Sequence, residues 1–227
     1  MRRTAVLLGG SLLALSAAAG PACATDIGGT LWMNAQAAAQ SRNAPPAVRA
    51  RAQRGITESV IYLEKVPESV EHKLSGRPTF WFFHRPAEPR PARIVQQNQR
   101  FIPRVLAIAA GTQVEFENRD RVYHNAFSVS SAKHFDLGKY PPGQIDTVLF
   151  ERPGVVNLHC DIHPEMLGFV VVTPNHAIVR PDSLGAFTLP KLPPGNYTLH
   201  AWNPKRPEFK QAFEVPKRGD VNLNLRF

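Results

Sequence analysis

Cysteine is nearly missing from this sequence: 227 residues contain two, Cys23 and Cys160. That scarcity excludes a disulfide-stapled scaffold and a structural zinc site built from several thiolates. Blocks of like charge are missing as well. The chain is basic, with a formal net charge of +9, but its lysines and arginines are scattered among prolines. No nucleic-acid-binding motif accompanies them, so nucleic acid is not an expected partner. A basic surface of this kind suits acidic partner proteins or an anionic membrane face. The chain also lacks H-E-x-x-H, a phosphate loop and a nucleophile elbow, the signatures of three large enzyme classes. Its one apolar run, Ala5 to about Ala19, is short for a membrane span and stops at Gly20-Pro21.

That run belongs to "MRRTAVLLGGSLLALSAAAGPACA", which has a basic start at Arg2 and Arg3, an apolar middle and the small-residue triplet Ala22-Cys23-Ala24. Residues 1–24 read as a cleavable signal peptide, with a mature start at Thr25 and a periplasmic or secreted protein. Lipidation of Cys23 is the second reading, weakened by Gly20 where a large aliphatic residue is expected. The paired arginines leave twin-arginine export open beside the general route. Cleavage after Ala24 leaves Cys160 as the sole thiol, with no transmembrane segment in the mature form.

What is present points to strands. The composition, 43% hydrophobic and 20% charged, is that of a globular protein, and its 21 prolines separate short β-branched and aromatic segments. Residues 25–55 read as a linker or frayed helix around "RNAPPAVRARAQRG". Strand readings come next at Ile56–Val66 and Thr79–His84, with a proline-rich loop over Arg85–Arg93. "RVLAIAAGTQVEFEN" breaks at Ala110-Gly111, then alternates with Val114 and Phe116 on one face and Gln113, Glu115 and Glu117 on the other. "VYHNAFSV", "DTVLF", "VVNLHC" and "GFVVV" complete a dense series. No clear amphipathic helix interrupts it, so the fold class is all-β, a Greek-key β-sandwich or barrel. After Pro174 the text changes, and "VNLNLRF" alternates at Val221, Leu223, Leu225 and Phe227. Residues 56–174 therefore read as one domain and 175–227 as a small second β domain.

The chemistry is concentrated in "LHCDIHPEM", where Cys160, His163 and Met166 form C-x2-H-x2-M. Strand alternation puts Val156, Leu158 and Cys160 on one inward face and turns Asn157 and His159 away. His163 and Met166 fall on the turn beyond, able to fold back over Cys160. Upstream, "YHNAF" supplies His124. A thiolate, two imidazoles and a thioether are the donors of a type 1 copper site, which must satisfy both Cu(I) and Cu(II). A nucleophilic Cys-His pair is the competing reading, but it gives Met166 no role. The other histidines (His72, His84, His134, His176, His200) lack ligand spacing and read as surface or structural. So does His159.

The stretch "QRFIPRVLAIAAGTQVEFENRDRVYHNAFS", continued by "FDLGKYPPG" and "FERPGVVNLHCDIHPEMLGFVVV", resembles the cupredoxins of the plastocyanin, pseudoazurin and amicyanin branch. The short Cys-to-Met loop is most similar to amicyanin. The whole resembles exported plastocyanin-like proteins labelled methylamine-utilisation proteins, and "GAFTLPKLPPGNYTLHAWNP" is similar to the carboxypeptidase-regulatory-like β domain that comes after them. By position, the resemblance implies that His124, Cys160, His163 and Met166 are the ligands of one copper ion. It further implies that Asn125 ties the two ligand loops together and that Pro164 is the proline after the second histidine. His163 would be the solvent-facing electron port, and Glu165 departs from the pattern. The implied activity is single-electron transfer between redox partner proteins by a monomer that is not an enzyme. A copper-binding or delivery protein, or an interaction module with structural copper, are the alternatives. A small oxidase or reductase ranks last, because Met166 fills the place where a catalytic copper keeps room for substrate.

Overall fold

The structure, a computed structural model, describes residues 26–32, 45–76 and 91–227. The signal-peptide reading, Cys23, the strand read at Thr79–His84 and most of the loop read at Arg85–Arg93 lie outside the described residues. In chain order the described elements begin with β1 (Ile27–Trp32), α1 (Pro46–Thr57), β2 (Val60–Leu63) and α2 (Glu68–Leu74). Next come β3 (Ala92–Gln96), β4 (Phe101–Ile102), β5 (Val105–Ala109), β6 (Thr112–Asn118), β7 (Phe127–Ser130) and β8 (Lys133–Asp136). After these stand β9 (Ile145–Phe150), β10 (Gly154–His159), β11 (Leu167–Thr173), β12 (Ile178–Val179) and β13 (Ala186–Thr188). The series closes with β14 (Gly195–Asn203), β15 (Arg206–Val215) and β16 (Val221–Arg226).

The fold is all-β, as the sequence pattern implies. Strands β3 to β11 make two sheets, ordered β4-β3-β6-β9 and β5-β11-β10-β7-β8. Alternation explains what lies between them. On β6, Val114 and Phe116 are fully buried while Gln113 is exposed. On β10, Val156 and Leu158 are buried while Asn157 is exposed. These side chains meet Ile94, Phe150, Val170 and Val172 in one core. Each large apolar side chain buried in this way contributes about 1.5–3 kcal/mol. The break expected at Ala110-Gly111 separates β5 from β6. Gly111 has φ +85°, a left-handed conformation that suits glycine, and its N–H reaches the Phe150 carbonyl at 2.7 Å.

The other two sheets, β13-β1-β16 and β12-β2-β14-β15, enclose a second core. Ile27, Leu31, Ile61, Leu63, Leu199 and Leu225 are among its members. Its membership differs from the division read from the sequence. β2, from the segment assigned there to the first domain, pairs antiparallel with β14 and β12. β1, from the segment read as linker, pairs in parallel with β16. The stretch "PPAVRARAQRG" contains a helix, α1, that starts at Pro46, where a proline's fixed φ and missing N–H do no harm. No helix among the described residues is long and apolar enough to cross a membrane.

The two sandwiches touch through one face of each. Alternation along β2 and β14 sends Ile61, Leu63, Leu199 and Ala201 into the second core and turns Val60 and Trp202 outward onto Val105, Phe169 and Val171. The Trp202 and Phe169 rings lie 5.4 Å apart. Arg104 grips Glu58 through both carboxylate oxygens at 2.8 Å and stands over the Phe169 ring at 5.3 Å.

Candidate metal centre

β10 ends at His159, and the inward parity of Val156 and Leu158 delivers Cys160 into the core with 4% of its surface exposed. The chain then turns outward through Asp161 and Ile162, and Pro164 prevents the strand from resuming. The Met166 N–H closes this turn on the His163 carbonyl at 3.0 Å, folding Met166 back into the core that also holds Cys160. β11 begins directly after it, with Leu167 opposite His159. The residues between the two strands therefore hold Cys160, His163 and Met166 against one end of the sandwich.

His124 arrives from the opposite side. The sequence pattern put it at the start of a strand, but β7 begins only at Phe127. His124 instead forms an isolated bridge with Tyr140, exchanging backbone hydrogen bonds of 3.2 and 2.9 Å. That local pairing pins a fully buried imidazole without a ladder around it.

These elements bring three donors together. His124 Nδ1 lies 3.9 Å from Cys160 Sγ and His163 Nδ1 lies 3.8 Å from it. The three ligand atoms fall within 4.8 Å of one another. Metal bonds of about 2.0 Å to nitrogen and 2.3 Å to sulfur would span about 3.7 Å if they opened by about 120°, and about 3.5 Å at the tetrahedral angle. The two observed sulfur–nitrogen separations lie nearer the wider opening. Met166 is 1% exposed and forms part of the wall of a cleft of about 690 Å³ between the two sandwiches, with Glu58, Arg100, Ile102, Arg104, Glu165, Leu167 and Lys205.

The surrounding hydrogen bonds prepare these donors. The Asn125 backbone N–H points at Cys160 Sγ at 3.4 Å and fixes the position of the sulfur. Gln96 Nε2 donates to the Asn125 carbonyl at 2.9 Å, and the Tyr140 hydroxyl donates to Gln96 Oε1. Burial, with the nearby Asp146 and Cys160 charges, pushes the Tyr140 phenol up, so it stays a donor at neutral pH. Asn125 thus joins the Cys160 loop to β3 through its main chain, whereas its buried Oδ1 has no partner among the described residues. Asp120 Oδ2 sits 2.8 Å from His124 Nε2. Burial raises the Asp120 pKa, but the Gln99 N–H, the His124 ring and the Asn98 N–H outweigh it and hold the carboxyl below its usual value.

The other residues singled out in the sequence take clear places. Pro164 and Glu165 are exposed on the loop, and His163 is partly exposed. His159 turns away and stacks on Phe127, with ring centroids 5.6 Å apart. His176 contacts Glu71, His200 sits between Glu64 and Glu208, and His84 lies outside the described residues. Two contributors escaped sequence reading. Asp120 lies in the polar stretch Asn118-Arg119-Asp120-Arg121, and an acid four residues before a candidate ligand is a usable signal. Gln96 carried no signal, because a lone glutamine at an inward strand position declares no partner.

No protein-family model matches the chain. No curated protein matches it. Among solved structures, a copper-containing nitrite reductase from Thermus scotoductus SA-01 is 29% identical over 44% of this chain, with a TM-score of 0.40. The match spans only 26% of that enzyme's length. The Cu(I) form of an amicyanin variant is 22% identical, over 38% of this chain and 86% of its own, with a TM-score of 0.35. A purple cupredoxin from Nitrosopumilus maritimus is 29% identical, over 36% of this chain and 99% of its own, with a TM-score of 0.33.

Proposed function

We propose that this protein is an exported type 1 copper protein that passes single electrons between partner proteins, with His124, Cys160, His163 and Met166 as its ligands. The observation that carries the reading is the buried Cys160 Sγ, flanked by two imidazole Nδ1 atoms at 3.9 and 3.8 Å, with Met166 packed in the same core. One thiolate, two imidazoles and a thioether, with no carboxylate among them, suit copper in both oxidation states. Bound copper would supply a one-electron Cu(I)/Cu(II) couple.

The chain's own residues supply the rest. Asn125 N–H holds the Cys160 sulfur in place, and the strand cores on either side keep water away from it. His124 is rigidly walled in, so its Nδ1 cannot wander as charge changes. His163 is the one residue of the four that is only partly buried, which suits it to be the point where electrons enter and leave. We place the copper unit in strands β3 to β11 and assign β1, β2 and β12 to β16 to the companion β unit. Basic residues on the surface suit acidic partner proteins. The export assignment rests on the sequence of residues 1–24.

Voltammetry of the copper-loaded protein tests the carrier reading against copper storage or delivery. A carrier gives a reversible one-electron wave with fast exchange. Copper that binds but cannot be cycled without loss would support storage instead.

A further inference from the structure

We infer that Asp120, outside the donor set, is a positioning residue that fixes which nitrogen of His124 carries the proton, and that the hairpin between β3 and β4 holds Asp120 for this task. The inference rests on reading His124 as a ligand through Nδ1. It adds a claim that holds in the metal-free protein.

The hairpin turn is unusual in its backbone. Asn98 and Gln99 have φ values of 53° and 54°, a left-handed pair built without glycine. Two successive residues in this conformation aim their N–H groups into one concavity, a ready site for an anion. Asp120 fills it. Its Oδ1 accepts the Asn98 N–H at 2.6 Å, and its Oδ2 accepts the Gln99 N–H at 2.8 Å. Its own N–H is anchored on Asn118 Oδ1 at 3.0 Å, and Asn118 in turn donates to the Val122 carbonyl at 2.9 Å. The carboxylate is thus fixed from the hairpin and from β6 together.

The same Oδ2 meets His124 Nε2 at 2.8 Å. A carboxylate only accepts, so the hydrogen of that contact belongs to Nε2. The neutral ring then has its lone pair on Nδ1, the nitrogen that faces Cys160 Sγ. The opposite tautomer would set two lone pairs against each other at Asp120 and block Nδ1 with a proton. His124 is fully buried, so no bulk water can replace Asp120 without opening the site. The left-handed turn, which costs backbone energy at non-glycine residues, gains a function here as the clamp for the clamp.

The test uses the full chain without metal, with nitrogen-resolved NMR of the histidine rings, and then copper titration. Wild type should show His124 as a single form, with a slowly exchanging proton on Nε2 and an unprotonated Nδ1. Asp120→Ala should lose the protected Nε2–H signal and weaken Cu(II) binding by about 10–100-fold, the usual effect of removing the partner of a ligand histidine. Arg121→Ala, on the same turn with an exposed side chain, should change neither, which controls for general loosening. If thermal melting shows Asp120→Ala is unfolded, Asp120→Asn, which keeps the shape with one acceptor oxygen instead of two, is read by the same signals. A wild-type proton on Nδ1, or a folded Asp120 variant with unchanged ring signals, would overturn the inference. Wild type with the Nε2–H form but no affinity for copper would instead sink the copper reading and leave Asp120's role standing.

Discussion

The backbone N–H of Asn125 points at the sulfur of Cys160 from 3.4 Å, across 35 residues of chain. The Asn125 carbonyl is held in turn by Gln96 Nε2 at 2.9 Å, so the peptide on both sides of Asn125 is committed. The thiol is thereby placed by β3, a strand that contributes no donor of its own.

Gln96→Ala should therefore destabilise the protein and disturb the centre at once. It orphans the Asn125 carbonyl and the Tyr140 hydroxyl, both buried, at about 1–3 kcal/mol for each unsatisfied group. Denaturant unfolding of the metal-free protein measures the loss. A Gln96→Ala protein as stable as wild type would show that these two contacts are replaced.

Met166→Leu keeps a buried side chain of similar volume and removes only the sulfur. Copper should remain bound and coloured while the reduction potential rises, because a weak donor to Cu(II) is lost and Cu(I) is favoured. Met166→Ala should add a packing cost of about 2–5 kcal/mol. An unchanged potential in Met166→Leu would remove Met166 from the ligand set.

Much of the architecture was legible in the sequence, for local reasons. Period-two alternation at Val114 and Phe116, and at Val156 and Leu158, gave the strands and the inward parity of Cys160 directly. The spacing of Cys160, His163 and Met166 gave the loop. What stayed hidden is long-range. β2 falls in a segment that reads as a strand, but β1 falls in one that reads as linker, and nothing local tells Ile27 that it will pair with Val221. The same distance hides Gln96, whose contacts lie 29 and 44 residues away. His124 was misplaced onto a strand because an isolated bridge and a strand start look alike at the first residue. They differ only in whether the next residues extend the ladder.

The pairing of β1 and β2 with the C-terminal strands bears on truncation. A fragment of residues 91–174 contains every strand from β3 to β11 and should still fold and bind copper. It should melt at a lower temperature than the full chain, since Val105, Phe169 and Val171 lose Val60 and Trp202 and Arg104 loses Glu58. A fragment that cannot fold would mean that the two sandwiches form one cooperative unit.

Acid sensitivity should arise partly in the companion sandwich. Burial raises the Glu208 pKa, but the Tyr62 hydroxyl at 2.6 Å and the His200 ring at 2.9 Å lower it more. A depressed carboxylate stabilises the fold above its unfolded pKa, about 4.3, and loses that contribution as pH falls through the lower folded value. Glu208→Gln should thus be less stable than wild type near neutral pH and converge with it in acid. Equal differences at neutral and strongly acidic pH in thermal melts would contradict this assignment.

The copper reading as a whole meets its most direct test in the visible absorption spectrum of the Cu(II)-loaded protein, compared with Cys160→Ser and His159→Ala. Charge transfer from the Cys160 thiolate should make wild type intensely blue or green. Cys160→Ser should be colourless and bind copper poorly, and His159→Ala, facing away beside Phe127, should keep the wild-type spectrum. A colourless wild-type protein with copper bound, or a colour that depends on His159 and survives the loss of Cys160, would contradict the centre described here.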